Sequence, residues 1–222
     1  SVDGRTAMES GESQWITGPQ ARSDVQKLRA RSSAILTGIG TILHDNAALT
    51  VRAEQWYGPD LLIEPTLDEI VEQQPLRVVL DSRAQMPLKS KLLKAETPVL
   101  WLVSEQAEFS KEADDISRLS HVDTLKVPGL HGAENIAVLL GILAQKGCNE
   151  LLVEAGATMA GSFISAGAWD ELVVYMAPKL LGSDARALAN LPLGGMSEAK
   201  NLHLKDLCII GDDIRLTYTP TK

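Results

Sequence analysis

Cysteine and long apolar runs are both scarce in this 222-residue sequence, and their scarcity narrows the possible functions. The two cysteines, Cys148 and Cys208, have no neighbouring metal ligands. They therefore form neither a disulfide framework nor a zinc site, and they fit a reducing cytoplasm. No apolar run approaches the roughly eighteen residues that a membrane span needs, and no signal peptide is visible, so we expect no membrane partner.

Positive charge is also in deficit. The 21 Lys and Arg residues against 29 Asp and Glu give a net charge of −8. A nucleic-acid-binding domain usually presents a basic face, so this balance argues against nucleic acid as a partner. It still allows a local basic pocket for a small anion, because net charge describes the whole surface.

Metal and hydrolase signatures are missing as well. The spacing of the histidines to one another, to Cys and to Glu does not fit a metal site, so we predict none. Ser13 and Ser162 stand in no recognisable serine-hydrolase motif. The four histidines are His44, His121, His131 and His203.

The apolar pattern predicts a folded α/β protein. Buried strands are predicted at 34–38, 76–81, 99–103, 124–127, 151–154 and 172–177, with the strongest helix at 133–146 and a surface insertion at 53–75. Strands separated by helices favour parallel pairing. Two further strands, at 207–210 and 214–218, flank glycine and aspartate in a pattern typical of an antiparallel hairpin. We therefore expect a mixed sheet, in one domain over residues 1–222.

Two arginines in the first quarter of the chain are candidates for binding phosphate, because the guanidinium group is a planar fork of donors. A helix should begin at 17–20, where Thr, Pro and Gln are typical starting residues. Val25 and Leu28 fall on its inner face, whereas Arg29 lies in a basic stretch typical of a solvated face. Arg52 follows an extended-looking segment, and the residues alone leave its role open.

The segment 154–162 is the most informative part of the sequence. A strand ends in Glu154, and Gly156 and Gly161 flank the start of a helix. The glycines have Walker A spacing, but the lysine of that motif is missing, and the third glycine of a Rossmann fingerprint is missing too. A looser pyrophosphate loop and a plain tight helix contact both stay open. Glu154 is either a ligand-facing carboxylate at the end of a parallel strand or a loop cap.

Motifs along nearly the whole chain closely resemble the reductase domain of the bifunctional riboflavin-biosynthesis deaminase/reductase family. The stretch 41–52, TILHDNAALTVR, is similar to the family pattern T-x-x-x-D-x-P-x-L-T-x-R. The resemblance is weak at 53–75 and 105–132. The other matching segments are SVDGRTA at 1–7, GESQWIT at 11–17, Arg29-Ala30, AILTG at 34–38, VLDS at 79–82, VEAG at 153–156 and APKLLG at 177–182.

This resemblance implies a fold and a reaction. The fold is dihydrofolate-reductase-like, with a mixed, mainly parallel sheet and helices on both faces. The implied hydride donor is NADPH, and the implied substrate is 5-amino-6-(5-phosphoribosylamino)uracil. Its ribose opens, C1′ becomes electrophilic, and hydride adds there to give the ribitylamino product.

The resemblance also implies site residues. Arg29 and Arg52 would hold the substrate 5′-phosphate, and Glu154 and Asp45 would be catalytic. The implied cofactor-binding residues are Trp15, Thr41, Asp45, Ser82, Gly156, Ala157, Thr158, Met159, Ala160, Gly161 and Ser162. The implied substrate-binding residues are Ser13, Arg29, Leu49, Arg52 and Glu154.

Some departures and alternatives accompany the resemblance. Asn46-Ala47 replaces the more usual Asp/Asn-Pro, so this turn loses its fixed φ.

We expect a cytoplasmic homodimer that meets through the C-terminal strands. We also expect a zinc deaminase domain on the same full-length chain, whose motif is not among these residues. The alternatives are a related reductase of another pterin or uracil compound and a binding module without turnover.

Overall fold

The computed structural model describes residues 1–56, 67–129 and 135–221. Contacts divide the chain into two compact units. The terminal unit comprises Ser1–Val25 and Ala157–Lys222, and the central unit comprises Gln26–Gly156. The single domain expected from the sequence stays a prediction.

The described residues form helices and strands in the following order. The first half of the chain contains β1 (Arg5–Ala7), α1 (Pro19–Arg31), β2 (Ala34–Gly38), α2 (Ile39–Asp45), α3 (Leu67–Glu72), β3 (Leu76–Leu80), α4 (Lys91–Lys94) and β4 (Val99–Ser104). The second half contains α5 (Lys111–Ser117), β5 (Val122–Val127), α6 (Ile136–Gln145), β6 (Leu151–Val153), α7 (Ala157–Ser165), β7 (Leu172–Met176), β8 (Arg186–Ala187), β9 (Leu202–Ile210) and β10 (Asp213–Pro220). Short 3-10 helices cover Ala53–Gln55 and Met196–Glu198.

The central unit contains a five-stranded sheet with the strand order β5-β4-β3-β2-β6, and every adjacent pair in it is parallel. The parallel pairing predicted from the apolar runs is confirmed for these strands. All six residues of β4 are buried. Because successive side chains point to opposite faces of a strand, both faces of the sheet are covered there.

One arginine lies inside this sheet. Arg77 is the second residue of β3, and its exposed fraction is 0%. Its guanidinium donates hydrogen bonds to the backbone carbonyls of Ala48, Leu92 and Thr97. Burial lowers the pKa of Arg77 to about 10, which still leaves the group charged at neutral pH. The three carbonyls thus compensate a buried cation through its two terminal nitrogens.

The inner face of α1 differs from the prediction. Ser23, Gln26 and Arg29 are its most deeply buried residues after Ala21, whereas Val25 and Leu28 are half-buried. The prediction of a solvated Arg29 is therefore wrong. The reason is that polar groups elsewhere in the fold pair with this face, which sequence periodicity cannot show.

The terminal unit contains a three-stranded antiparallel sheet with the order β7-β10-β9, and a separate pair of β1 with β8. The hairpin of β9 and β10 around Gly211 and Asp212 is confirmed. Gly211 has φ +63°, which glycine adopts without steric cost. The expectation of a parallel β7 is wrong, because β7 pairs antiparallel with β10, a strand nearly forty residues further along the chain.

Helix α1 is joined to this sheet by polar groups within the terminal unit. The Gly18 amide donates to Asp213 Oδ2 over 2.7 Å, and the Asp213 side chain is buried. Asp24 Oδ2 accepts from Tyr175 Oη at 2.7 Å and from Arg215 Nη1 at 2.9 Å. Burial raises the pKa of Tyr175, and the hydrogen bond to Asp24 raises it further.

Some predicted features lie outside the described residues. The insertion expected at 53–75 begins with the 3-10 turn Ala53–Gln55 and ends with α3 and the following residues, but 57–66 are not described. Residues 133 and 134, at the expected start of α6, are not described either. In the part of the chain that is described, no helix is both long and apolar enough to cross a membrane.

Candidate active site

Several of the predicted site residues follow the carboxyl ends of three neighbouring strands in the central unit. Thr41 and Asp45 lie on α2, directly after β2, and Ser82 follows β3 by two residues. Glu154 is the residue after β6. Since β3, β2 and β6 are adjacent and parallel, these residues lie at one edge of the sheet. This is the edge where open α/β sheets bind ligands.

Glu154 is held in place by Arg29. Arg29 Nε and Nη2 donate to the two carboxylate oxygens of Glu154, each over 2.7 Å. The Arg29 side chain is 9% exposed and that of Glu154 is 23% exposed. Burial alone would lower the pKa of Arg29, but the Glu154 carboxylate outweighs it and the pKa is raised. A bidentate pair of this kind fixes the direction of both groups.

The bonds to Glu154 and one backbone contact occupy the whole guanidinium group of Arg29. Its third guanidinium nitrogen, Nη1, donates to the Thr50 carbonyl over 2.9 Å, so all three nitrogens bond within the protein. An incoming phosphate would have to share or displace these bonds. Arg29 therefore serves in this structure to orient Glu154 and to hold the backbone at Thr50.

The segment 48–52, next to this pair, carries the predicted substrate residues Leu49 and Arg52. Leu49 is 3% exposed and has φ +54°, a left-handed conformation that costs a branched residue about 1–2 kcal/mol. The Arg52 side chain is half-buried, and its amide donates to Gln26 Oε1 over 3.1 Å. Arg29 thus links the segment to Glu154, since it bonds to both. The backbone of the segment is strained at Leu49 and hydrogen-bonded at Arg52.

Helix α2 ends in a way that offsets the missing proline. Asn46 closes the helix with φ +46°, and its amide donates to the Ile42 carbonyl. Its side-chain oxygen accepts from the Lys91 amide at the start of α4, over 2.8 Å. Asparagine tolerates this left-handed conformation, so the turn is held by a side-chain bond rather than a proline ring. Asp45, just before it, is exposed.

The two glycines of segment 154–162 have different surroundings. Gly156, in the central unit, is exposed, and a Cβ added to it meets no atom within 4 Å. In the terminal unit, a Cβ on Gly161 would stand 2.1 Å from the Asn190 carbonyl oxygen. Asn190 also bonds to the Ala157 carbonyl and the Thr158 hydroxyl. Gly156 thus has open space beside its backbone, and Gly161 makes a tight structural contact.

Two further predicted residues lie in the terminal unit. Trp15 is 57% exposed, and the Arg22 guanidinium lies 4.3 Å from the centre of its ring. The Trp15 carbonyl accepts from Lys179 Nζ over 2.7 Å. The cation–π contact with Arg22 orients the Trp15 indole ring at the surface. Ser13 is half-buried, and its carbonyl accepts from the Ile16 amide.

Sequence reasoning missed three residues that hold the candidate site. Gln26, Gln74 and Arg77 all bond to the backbone of segment 48–52. Arg77 had a signal, since it is a lone charge in an otherwise apolar strand. Gln26 and Gln74 had no such signal, because a glutamine in a sequence is as common on an exposed surface as in a buried position.

No cluster of three or more His, Cys, Asp or Glu residues in the described ranges could hold a metal ion. Cys148 and Cys208 are both unpaired thiols. The candidate site in the central unit therefore consists of the fixed Glu154 carboxylate, Arg29 and Arg52, and the exposed backbone at Gly156.

A family model described as the RibD C-terminal domain matches residues 1–216. This chain belongs to the RibD C-terminal domain family. The match covers nearly the whole chain, and the family resemblance predicted from the motifs is confirmed.

Individual relatives agree with this membership. The riboflavin biosynthesis protein RibD of Escherichia coli is 43% identical over 220 residues, which is 97% of this chain and 56% of that protein. The 5-amino-6-(5-phosphoribosylamino)uracil reductase of Buchnera aphidicola is 36% identical over 97% of this chain and 100% of that protein. The structure of Acinetobacter baumannii RibD aligns with a TM-score of 0.81 at 37% identity, covering 100% of this chain and 56% of that one. The chain therefore spans about half the length of its RibD relatives. Together with the mixed α/β architecture, the structural match confirms the predicted fold class.

Proposed function

We propose that this protein is an NADPH-dependent 5-amino-6-(5-phosphoribosylamino)uracil reductase of riboflavin biosynthesis. The family membership supports an aminouracil reductase, and a relative of that name matches over its entire length. The observation that carries the proposal is the Glu154 carboxylate, fixed by Arg29 beside segment 48–52 at the ligand edge of a parallel sheet. A rigid carboxylate near an arginine-bearing segment suits a polar, phosphorylated sugar.

The reaction defines what the residues must do. The ribose ring opens, and C1′ becomes the carbon of a C=N bond to the amino nitrogen on the uracil. When bound, NADPH supplies the hydride that adds to C1′, and a proton adds to the nitrogen as the double bond is lost. Glu154 accepts hydrogen bonds from the sugar or base, and its two bonds to Arg29 keep it in one orientation while the sugar opens. Arg52 binds the 5′-phosphate, and Ser13 and Leu49 complete the proposed substrate contacts.

The residues present fit a nicotinamide cofactor. Gly156 is open where a side chain would otherwise stand, and Gly40, in the first turn of α2, is equally open. Glycine at such positions lets a pyrophosphate approach the backbone. Thr41, Asp45 and Ser82 would contact the cofactor in the central unit, and Trp15 and the first residues of α7 would do so in the terminal unit. Asp45, exposed at the end of α2, is also proposed to assist catalysis.

The direct test is a steady-state assay of purified protein with NADPH and the phosphoribosylamino substrate. We expect NADPH oxidation that depends on the substrate, a lower rate with NADH, and a higher KM for the same compound without its phosphate. Turnover of a different pterin or uracil compound alone would favour the related-reductase alternative. Tight NADPH binding without turnover of any of them would favour a binding module.

We also propose a homodimer, supported by one face of the terminal-unit sheet. In β10, the residues Ile214, Leu216 and Tyr218 point to this face, and they pair with Met176, Val174 and Leu172 of β7. On the other side they pair with Ile209, Leu207 and Leu204 of β9, and Pro220 pairs with Leu202. We call these residues the apolar face.

An irregularity in β9 makes this face continuous. The register shifts between Thr217 and Tyr218, so that Lys205 is skipped and Leu204 joins Leu207 and Ile209 on the same side. A bulge of this kind moves the following residues to the opposite face. Ile209 is 74% exposed and Leu207 is 55% exposed. A row of exposed apolar residues on an edge strand needs a cover, and a second copy would supply it.

The remaining expectations stay proposals. Because both cysteines are thiols rather than a disulfide, we infer that the protein works in the reducing cytoplasm. A deaminase domain on the same full-length chain follows from the family resemblance, and the reductase proposal stands without it.

A further inference from the structure

Side chains from outside segment 48–52 bond to its backbone at four of the five residues, all except Leu49. Arg77 Nη1 donates to the Ala48 carbonyl over 3.3 Å, and Arg29 Nη1 donates to the Thr50 carbonyl over 2.9 Å. Gln74 bonds to Val51, and Gln26 bonds to Arg52. Leu49 is the residue between these contacts that has the left-handed backbone.

Gln74 makes the most specific of these contacts. Its Oε1 accepts from the Val51 amide over 2.7 Å, and its Nε2 donates to the Val51 carbonyl over 3.0 Å. The same Nε2 also donates to the Val71 carbonyl over 2.8 Å, which ties the amide to the end of α3. A neighbouring β-strand pairs with a residue in the same two-bond way. One side chain thus bonds to both backbone groups of Val51, as a neighbouring strand would.

Gln26 anchors the next residue. Its Oε1 accepts from the Arg52 amide over 3.1 Å, and its Nε2 donates to Gln55 Oε1 over 2.9 Å. The side chain is 1% exposed, so the bond to Arg52 is protected from water. Two consecutive residues, Val51 and Arg52, therefore have their amides fixed by two glutamines.

These bonds offset the strain at Leu49. A left-handed leucine persists only where the surroundings determine its conformation. Without bonds on both sides of it, the segment would relax and turn its following residues in other directions. The direction of the Arg52 side chain is set by the backbone that carries it, so the contacts at Val51 and at the Arg52 amide also set that direction.

We propose that Gln74, together with Gln26, is a positioning residue for the substrate phosphate, acting by fixing the backbone from which Arg52 projects. The inference rests on the proposed function, since it takes Arg52 as the phosphate ligand. Neither glutamine contacts the reacting atoms. Their removal is expected to affect binding of the phosphate and to leave the chemical step unchanged.

The test compares Gln74→Leu with Gln73→Leu, a matched control at the adjacent exposed glutamine. Losing the two bonds to Val51 should raise KM for the phosphorylated substrate roughly five- to tenfold, with kcat and the NADPH KM within twofold of the unmodified protein. With the dephosphorylated substrate, Gln74→Leu and Gln73→Leu should behave alike. Equal losses with both substrates, or no loss beyond that of Gln73→Leu, would overturn the proposal.

A second variant covers the case in which Gln74→Leu does not fold. Gln74→Glu keeps the acceptor for the Val51 amide but points a carboxylate oxygen, in place of the donor, at the Val51 and Val71 carbonyls. Because these oxygens repel one another, this variant should also raise KM for the phosphorylated substrate about fivefold or more, without a change for the dephosphorylated one, and an unchanged KM would overturn the inference. Failure of the proposed function looks different, because then the unmodified protein would not turn over the substrate or would not distinguish its phosphorylated form.

Discussion

Two buried arginines in the central unit serve different purposes. Arg29 faces the Glu154 carboxylate, which keeps its charge compensated and its pKa raised. Arg77 is held by backbone carbonyls, and burial lowers its pKa. A buried pair fixes geometry more reliably than it adds stability, so Arg29 is better understood as orienting Glu154 than as stabilising the fold.

Arg52 is the residue that most directly tests phosphate binding. A charge-assisted hydrogen bond contributes about 1.5–3 kcal/mol, so Arg52→Ala should raise KM for the phosphorylated substrate about tenfold or more. The NADPH KM should change little. Arg118→Ala, which removes an exposed arginine paired with Asp115, serves as the control. If Arg52→Ala weakens NADPH instead, the residue belongs to the cofactor.

Gly161 tests the structural half of the glycine segment. A Cβ at this position would overlap the Asn190 carbonyl oxygen at 2.1 Å. Gly161→Ala should therefore lower the free energy of unfolding by about 1–3 kcal/mol, measured by chemical denaturation. Gly141→Ala, in the interior of α6 where a Cβ meets nothing within 4 Å, should raise it by about 0.5–1 kcal/mol. Equal stability of the two variants would contradict the tight contact at Asn190.

At the scale of helices and strands, the sequence pattern predicts some elements, and others depend on tertiary pairing that the pattern does not show. The buried strands β2, β3 and β4 were predictable because each is a compact apolar run, and Glu154 was predictable as the carboxylate that follows the apolar run of β6. The direction of β7 was not, since it depends on a partner strand nearly forty residues further along the chain. The buried face of α1 was not predictable either, because Gln26 and Arg29 are buried by polar partners rather than by apolar periodicity.

The contact of α1 with the terminal-unit sheet gives a pH prediction. The pKa of Tyr175 is raised above the ordinary value near 10 in the folded state. Its contribution to stability is therefore complete below about pH 10 and is lost as pH rises, because the unfolded chain releases the proton first. Denaturation measured from pH 9 upward should show a decline of stability that is less steep in Tyr175→Phe.

Tyr218→Phe is the control for this experiment. Tyr218 lies on the apolar face, opposite to Tyr175, and its removal leaves the bonds of Asp24 in place. An identical decline in the unmodified protein and in Tyr175→Phe would show that the Tyr175–Asp24 bond does not govern the alkaline stability.

At the scale of the whole molecule, the apolar face predicts assembly. Ile209→Lys places a charge in the middle of the proposed interface and should yield monomer or aggregate by light scattering at micromolar concentration. His203→Lys is the control, since His203 is exposed on the same strand but points to the opposite face. The unmodified protein should be a dimer. A mass of one chain, 23.9 kDa, would contradict the proposal, and an unchanged Ile209→Lys dimer would place the contact elsewhere.

The proposed function of the molecule is hydride transfer from NADPH to the sugar carbon C1′ of the phosphoribosylamino substrate. It is tested most directly with NADPH carrying deuterium at one or the other of the two positions on nicotinamide C4, followed by mass spectrometry and NMR of the product. We expect one of the two labelled forms to place a single deuterium at C1′ of the ribitylamino chain. A product without deuterium from either form, or with deuterium on the uracil ring, would contradict the account.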